Sequence, residues 1–181
     1  MMTERIIIAG AGGQGIMLFG KVLALAALEA GKHTTWLPAY GAEVRGGTAS
    51  CMVIISDEEI GSPLINKADT LIIMNNPSFE KFKDRVKNTG LVIMNSSLVE
   101  GTFDGRARAL RYPFTERAVK LGNVKVANMV ALGSYLPQKK LLSLETVMRV
   151  IEEMAPQNRR DLVEVNQKAL QEGMRFCDGK S

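Results

Sequence analysis

Apolar positions along this 181-residue chain fall into short β-branched runs and longer stretches of helical length. Residues 6–8 are three isoleucines, and residues 70–74 and 91–94 are also nearly continuous apolar runs. Strands that are apolar at almost every position are typical of a sheet that is covered on both faces. We therefore predict an α/β protein with three layers, α/β/α, and a Rossmann-like sheet, in a single domain over residues 1–181.

The second and third predicted strands are joined by a short loop. A parallel crossover usually needs a dozen or more residues and a helix. Strand 3 is therefore expected to run antiparallel to strand 2, which gives a mixed sheet that is otherwise mostly parallel, and Pro38 is expected to close strand 2. The pattern predicts strands at residues 5–9, 33–37, 48–56, 70–74, 91–94 and about 106–110, and helices at 14–30, 77 to about 88, 114–121, 125–136, 144–154 and 158–176.

A glycine-rich turn separates the first predicted strand from the first predicted helix. Three of its glycines match G-x-G-x-x-G, in which the first permits the turn, the second lets backbone approach a ligand and the third lets the helix pack on the strand. The helix N-terminus then offers unpaired N–H groups to an anion. The turn is predicted to bind an anion or phosphate, the alternative being close packing alone; its residues are Gly10, Gly12, Gly13, Gln14 and Gly15.

A second glycine-flanked segment follows strand 2. It carries Tyr40, Glu43 and Arg45 among several glycines, which indicates a loop shaped for close approach to a partner or to a coenzyme. The alternative interpretation is a solvated turn. If strands 1, 2, 4 and 5 are parallel, this loop and the glycine-rich turn lie at one sheet edge, together with Asn75-Asn76 and residues 95–97.

Composition and charge exclude several classes of protein. The apolar fraction of 46% and charged fraction of 23% are ordinary for a globular protein. A net charge of +4 without a dense Lys/Arg block disfavours nucleic acid. The apolar stretch at 16–30 is too short for a comfortable membrane span, and the N-terminus shows no signal-peptide pattern. Cys51 and Cys177 lie far apart without C-x-x-C, which argues against zinc or iron–sulfur ligation and favours a reducing cytoplasm.

The sequence offers no convincing catalytic residue. His33, the single histidine, lies in strand 2 without a nearby nucleophile pattern, so we expect it to face solvent or cap an element. Ser96 and Ser97 lack the G-x-S-x-G context of a nucleophile. Nicotinamide dinucleotide binding is disfavoured, because residues 34–37 supply no acid for the ribose hydroxyls. We predict no catalytic residue and no metal ligand in this chain.

Two predicted helices are unusual because they lack a polar face. Helix 14–30 is apolar on nearly every side, and helix 125–136 carries no charge after Lys125. A surface helix normally shows a polar stripe. Burial within the domain could explain one such helix, whereas two favour cover by a partner subunit. We therefore expect the isolated chain to self-associate, most simply as a C2 dimer.

The motifs collected above resemble the gamma subunit of 2-oxoacid:ferredoxin oxidoreductases over essentially the whole chain. The two glycine motifs together carry the resemblance, since neither alone is specific. The matching residues are Gly-Ala-Gly-Gly-Gln-Gly-Ile at 10–16 with Gly20, Leu23 and Ala24, then Tyr40-Gly41-x-Glu43-x-Arg45-Gly46-Gly47-Thr48, Ser56-Asp57, Ile60-x-Ser62-Pro63, and Asn-Met-Val-Ala-Leu at 128–132 with Gly133.

This resemblance implies an accessory subunit. Such complexes oxidatively decarboxylate a 2-oxo acid to its acyl-coenzyme A and pass electrons to ferredoxin. Thiamine diphosphate with Mg²⁺ is expected in the alpha and beta subunits, and the iron–sulfur clusters in beta or delta. The gamma subunit carries no cofactor, is silent alone, and helps to shape the coenzyme A region. Among pyruvate, 2-oxoglutarate, branched-chain 2-oxo acids and indolepyruvate, a short free-standing chain favours 2-oxoglutarate.

Two other functions stay open from the residues alone. One is a free-standing Rossmann-like enzyme that binds a nucleotide at the glycine-rich turn. The other is a module that senses an acyl-coenzyme A or a nucleotide. The lack of candidate acids and bases counts against the first.

Overall fold

A six-stranded sheet forms the centre of the computed structural model, which describes residues 1–40, 48–156 and 160–177. The strand order is β2-β3-β1-β4-β5-β6, so the first strand lies in the middle of the sheet. The strands are β1 (Thr3–Ala11), β2 (His33–Tyr40), β3 (Thr48–Ser56), β4 (Ala68–Ile73), β5 (Val86–Asn95) and β6 (Arg108–Tyr112).

Strand directions confirm the predicted mixed sheet. β1, β4, β5 and β6 are parallel to one another, whereas β3 is antiparallel to both β1 and β2. β2 therefore runs in the direction of β1 although β3 lies between them. The strand predicted at 48–56 is confirmed with its bounds.

Helices cover the sheet on both faces, as predicted, but unequally. Ile6 and Ile8 of β1 point into a core shared with α1, α4, α5 and α6, whereas Ile7 points into a smaller core closed by Phe79 and Phe82 of α2. No helix among the described residues is long and apolar enough to cross a membrane. The helices are α1 (Ile16–Glu29), α2 (Asn76–Phe82), α3 (Phe114–Lys120), α4 (Ala127–Lys139), α5 (Leu144–Met154) and α6 (Arg160–Met174), with 3₁₀ turns at Val124–Val126 and Arg175–Cys177.

The apolar α4 helix is covered within its own chain, which overturns the argument that both apolar helices need a partner subunit. Every residue from Ala127 to Leu136 is buried. α6 lies directly against α4. The two backbones are so close that a Cβ at Gly133 would come 2.1 Å from the Leu170 carbonyl oxygen. The expected self-association then rests on α1 alone, where Leu18 is 41% and Leu28 is 60% exposed.

Several predicted boundaries were wrong, among them the start of β5, which lies at Val86 instead of residue 91, and the end of α4, which lies at Lys139 instead of residue 136. Pro38 does not close β2, which continues to Tyr40. β2 is an edge strand of the sheet, and an edge strand tolerates proline because the missing N–H need not cost a hydrogen bond between strands. α2 does not reach Asn88; it ends at Phe82, since Val86 is buried and pairs with Ala68 at the start of β5. Lys83, Asp84 and Arg85 continued the helical pattern in the sequence but belong to the turn between the two elements.

Candidate functional site

Five strands end at one edge of the sheet, which we call the carboxyl edge. Ala9 of β1 lies level with Ile73 of β4, and β5, β6 and β2 end on the same side. Residues 10–15, which we call the glycine turn, leave β1 at this edge and lead into α1. Ligands of open α/β sheets bind beyond the carboxyl ends of the strands, so this edge is where the candidate site is predicted.

Gln14 closes the glycine turn with its side chain. Its Oε1 accepts a hydrogen bond from Ala11 N at 2.7 Å, and its Nε2 donates to the Met74 carbonyl at 3.4 Å. Its own N–H donates to the Ala11 carbonyl at 3.2 Å. The side chain therefore ties the turn to β1 and to the end of β4. Gly12 and Gly13, which are exposed, are the part of the turn that can meet a ligand.

Gly10 and Gly15 have structural roles that differ from those predicted from the sequence. A Cβ at Gly10 would lie 2.7 Å from Ile16 Cδ1 and 2.9 Å from Met74 Cβ, so Gly10 allows the close approach of α1 to the sheet. Gly15 was predicted to have that role. It instead adopts a left-handed conformation with φ 71°, and its Cβ would meet Asn128 of α4 at 2.3 Å.

The exposed part of the turn fits an anion. Gly13 has φ 87°, and a Cβ at Gly12 would meet nothing within 4 Å, so backbone approach is open. α1 begins directly after Gly15, with no side-chain cap and no acidic residue in its first turn. The N–H groups of a first helical turn and the positive end of the helix dipole favour a negative group.

The other polar residues at the carboxyl edge have structural partners. Asn75 caps α2 by accepting from Ser78 N at 3.1 Å. Asn95 is fully buried, and its Nδ2 donates to the Met74 carbonyl at 3.2 Å and to Thr115 Oγ1 at 2.9 Å. These two side chains therefore use hydrogen-bonding groups within the fold at the carboxyl edge.

The second predicted contact region is described only at its beginning. Tyr40 ends β2, where it pairs with Ala49, and its side chain lies outside the described atoms. Glu43 and Arg45 lie outside the described residues. β2 itself ends at the carboxyl edge, and β3 lies between β2 and β1.

A large cavity in the described part of the chain lies elsewhere. It has a volume of about 690 Å³ and is formed by α5, α6 and the start of the segment between them. Glu152, Glu153 and Glu164 line it, so its wall repels phosphate or carboxylate groups. This cavity therefore does not suit an anion.

His33 and Cys51 belong to the residue types that often act as base and as nucleophile. His33 is exposed at the start of β2, as predicted. Cys51 is buried, as predicted, and its thiol donates to the Ile16 carbonyl at 3.5 Å. Burial raises the pKa of the Cys51 thiol to about 12, so it stays protonated and unreactive at neutral pH.

Thiol labelling tests this placement of Cys51. In a Cys177→Ser variant, which leaves a single cysteine, a maleimide reagent at pH 8 is expected to label the native chain very slowly and the guanidinium-unfolded chain completely. The reason is the loss of both access and thiolate in the native state. Rapid labelling of the native variant would contradict the packing of β3 under α1.

The comparisons with known proteins agree on one family. The family model described as pyruvate ferredoxin/flavodoxin oxidoreductase matches residues 5–176. The ketoisovalerate oxidoreductase subunit VorA of Methanothermobacter thermautotrophicus is 46% identical over 130 residues, which are 71% of this chain and 27% of VorA. This chain thus spans about a quarter of the length of the VorA relatives that it matches.

Relatives of similar length also match. The 2-oxoglutarate synthase subunit KorC of Archaeoglobus fulgidus is 36% identical over 156 residues, which are 82% of this chain and 81% of KorC. The crystal structure of the keto/oxoacid ferredoxin oxidoreductase gamma subunit from Geobacter sulfurreducens superimposes with a TM-score of 0.82 at 30% identity, over 95% of this chain and 96% of that one. The chain therefore belongs to the pyruvate ferredoxin/flavodoxin oxidoreductase family, and its fold is that of the family's gamma subunit.

Proposed function

We propose that this chain is the accessory gamma subunit of a multi-subunit 2-oxoacid:ferredoxin oxidoreductase in the cytoplasm. The observation that supports the proposal best is the likeness to the Geobacter gamma subunit, which extends over nearly all of both chains. In the proposed complex, a 2-oxo acid is oxidatively decarboxylated, the acyl group passes to coenzyme A, and the electrons pass to ferredoxin.

The residues of this chain do not fit the cofactors that such chemistry needs. An iron–sulfur cluster needs several cysteine thiolates, whereas Cys51 is buried and protonated. No group of three His, Cys, Asp or Glu side chains in the described ranges could hold a metal ion. The proposal therefore assigns thiamine diphosphate and Mg²⁺ to the alpha and beta subunits, the clusters to beta or delta, and no catalytic step to this chain.

For the chain itself we propose a docking role at the carboxyl edge. The exposed peptide groups of Gly12 and Gly13 and the uncapped start of α1 suit an anionic group. That group is either a carboxylate of a catalytic subunit or a phosphate of coenzyme A. Tyr40, Glu43 and Arg45 are proposed to add contacts from the neighbouring segment.

Two substrates have support, and 2-oxoglutarate is the one we propose. KorC of Archaeoglobus fulgidus, a subunit of 2-oxoglutarate synthase, supports this choice because it matches over most of both chains. A branched-chain 2-oxo acid is the second candidate, because the VorA match has the higher identity, 46%. Assays of the purified complex with 2-oxoglutarate and 3-methyl-2-oxobutanoate at equal concentrations decide between the two candidates.

Reconstitution tests the subunit role. Catalytic subunits purified from a strain that lacks this chain are expected to form acyl-coenzyme A poorly and to recover when the chain is added back. Methyl viologen reduction with 2-oxoglutarate and coenzyme A gives the rate. Full activity without the chain would contradict the proposal, and nucleotide turnover by the isolated chain would support a free-standing enzyme instead.

Arg45→Ala tests the second contact region. A guanidinium pairs with carboxylate or phosphate through two hydrogen bonds. The variant is therefore expected to weaken subunit association by about 2–5 kcal/mol if the pair is desolvated, or to raise the KM for coenzyme A. Titration against the catalytic subunits and a coenzyme A series measure the two effects. Arg149→Ala, whose side chain is 60% exposed and pairs with Glu29 away from the carboxyl edge, is the control. Wild-type values for Arg45→Ala would assign Arg45 to a solvated turn.

A further inference from the structure

Asn128 is a polar side chain buried in the first turn of α4, where it is 2% exposed. Its Nδ2 donates to the Gly15 carbonyl at 3.1 Å, and its Oδ1 accepts from Met129 N at 3.0 Å. α4 has no side-chain cap at Val126, so Asn128 satisfies one of the N–H groups that the first turn leaves unpaired. One amide therefore joins the start of α4 to the start of α1.

Gly15 depends on this contact in two ways. Its φ of 71° is a conformation that side chains rarely adopt, and a Cβ there would lie 2.3 Å from Asn128 Nδ2. Its carbonyl accepts from Asn128 and also from Phe19 N at 2.9 Å, so both lone pairs are used. The amide of Asn128 thus fills the space that the missing side chain leaves.

The glycine turn is consequently held from two sides. Gln14 fixes it to β1 and to the end of β4, while Asn128 fixes its last residue to α4. Gly12 and Gly13 lie between these anchors and are exposed. We propose that Asn128 is a positioning residue of the carboxyl edge: its hydrogen bond to Gly15 sets the orientation in which Gly12 and Gly13 meet the catalytic subunits.

This inference rests on the proposed subunit role, and two variants of the full chain test it in the reconstituted complex. Asn128→Asp keeps an acceptor for Met129 N but replaces the donor to Gly15 with a carboxylate oxygen, which repels the carbonyl. Asn128→Ala removes both hydrogen bonds. Each variant is expected to raise the Kd for the purified catalytic subunits about tenfold, while kcat of the fully assembled complex stays within about twofold.

A stability-matched variant separates positioning from general destabilisation. Val147→Ala opens a cavity in α5, where Val147 is fully buried, without touching the glycine turn. It is expected to lower the Tm of the chain while leaving the Kd unchanged. A wild-type Kd for Asn128→Asp, or a Kd for both Asn128 variants equal to that of Val147→Ala, would overturn the positioning role. Failure of the wild-type chain to associate would instead overturn the proposed function.

A double-mutant cycle on the chain alone gives a readout that does not depend on the complex. Gly15→Ala clashes with the Asn128 amide, and Asn128→Ala removes that amide. The losses in unfolding free energy are therefore expected to be clearly non-additive, with the double variant more stable than the sum predicts. Additive losses would show that the two residues do not act as a pair.

Discussion

Valine at Gly133 or at Gly173 is expected to destroy the native packing of α4 against α6. A Cβ at Gly133 would lie 2.1 Å from the Leu170 carbonyl oxygen, and one at Gly173 would lie 2.0 Å from the Val130 carbonyl oxygen. Both contacts are with backbone atoms, so no side-chain rotation can relieve them. The two helices would have to move apart and expose the buried length of α4.

The cost is expected to be large relative to the stability of the whole domain. Overpacking that forces the backbone to shift costs about 3 kcal/mol at the upper end of the usual range, and the β-branched side chain adds to it. Domains of this size have a total stability of about 5–15 kcal/mol. We expect insoluble protein or an unfolding midpoint that is strongly reduced in urea, measured by far-UV circular dichroism.

Gly61→Ala is the matched control for the helix-crossing variants. A Cβ at Gly61 meets nothing within 4 Å, and the residue lies in the exposed connection between β3 and β4. This variant is expected to unfold within about 0.5 kcal/mol of the wild type. A native unfolding curve for Gly133→Val would contradict the close crossing of α4 and α6.

The second large effect is expected from Gly15→Val, in contrast to Gly12→Val. Valine at Gly15 would take a left-handed conformation and meet the Asn128 amide, so we expect a loss of about 2–4 kcal/mol in unfolding free energy. Gly12 has open space around it, so Gly12→Val is expected to fold almost normally. Its side chain would instead cover the exposed backbone and prevent docking.

We therefore expect Gly15→Val to lose mainly stability and Gly12→Val to lose mainly assembly. Urea unfolding of each chain and titration of each folded chain against the catalytic subunits provide the measurements. We expect Gly12→Val to have near-native stability and at least tenfold weaker association, which corresponds to about 1.4 kcal/mol. Native association of Gly12→Val would remove the glycine turn from the docking surface. Lost turnover with native association would instead give the turn a direct ligand role.

Local patterns predicted much of the sheet and the helices α3 and α5 correctly. β3 was predicted with its observed bounds because residues 48–56 are rich in β-branched side chains between polar boundaries. α5 was also predicted from 144 to 154, and in the structure Ser143 caps it by accepting from Thr146 N at 3.1 Å. Antiparallel β3 followed from the length of the connection alone.

Tertiary contacts decided what the sequence pattern could not. The cover of α4 by α6 depends on Gly133 and Gly173, which lie 40 residues apart and face each other's helix. Mid-helix glycines were the available indication of such a crossing, because glycine weakens a helix unless close packing needs it. The positions of the polar edge residues could be predicted, but not that Asn75 and Asn95 use their side chains within the fold.

Asn128 was the functional candidate that sequence reasoning did not single out. It is a buried asparagine at the start of an apolar helix, and such a polar residue needs a partner. The partner, Gly15, lies 113 residues earlier, so neither periodicity nor motif spacing could identify it. Conversely, the glycine motif located the turn correctly while assigning the close-packing role to Gly15 instead of Gly10.

Affinity purification of this chain at its native expression level tests the subunit assignment most directly. An affinity-tagged chain is expected to retain larger subunits in fixed proportion, and the purified material is expected to contain thiamine diphosphate and iron. The chain separated from that complex is expected to contain neither iron nor flavin. A chain that purifies alone, or that carries iron or a flavin by itself, would contradict the assignment of this protein as an accessory gamma subunit.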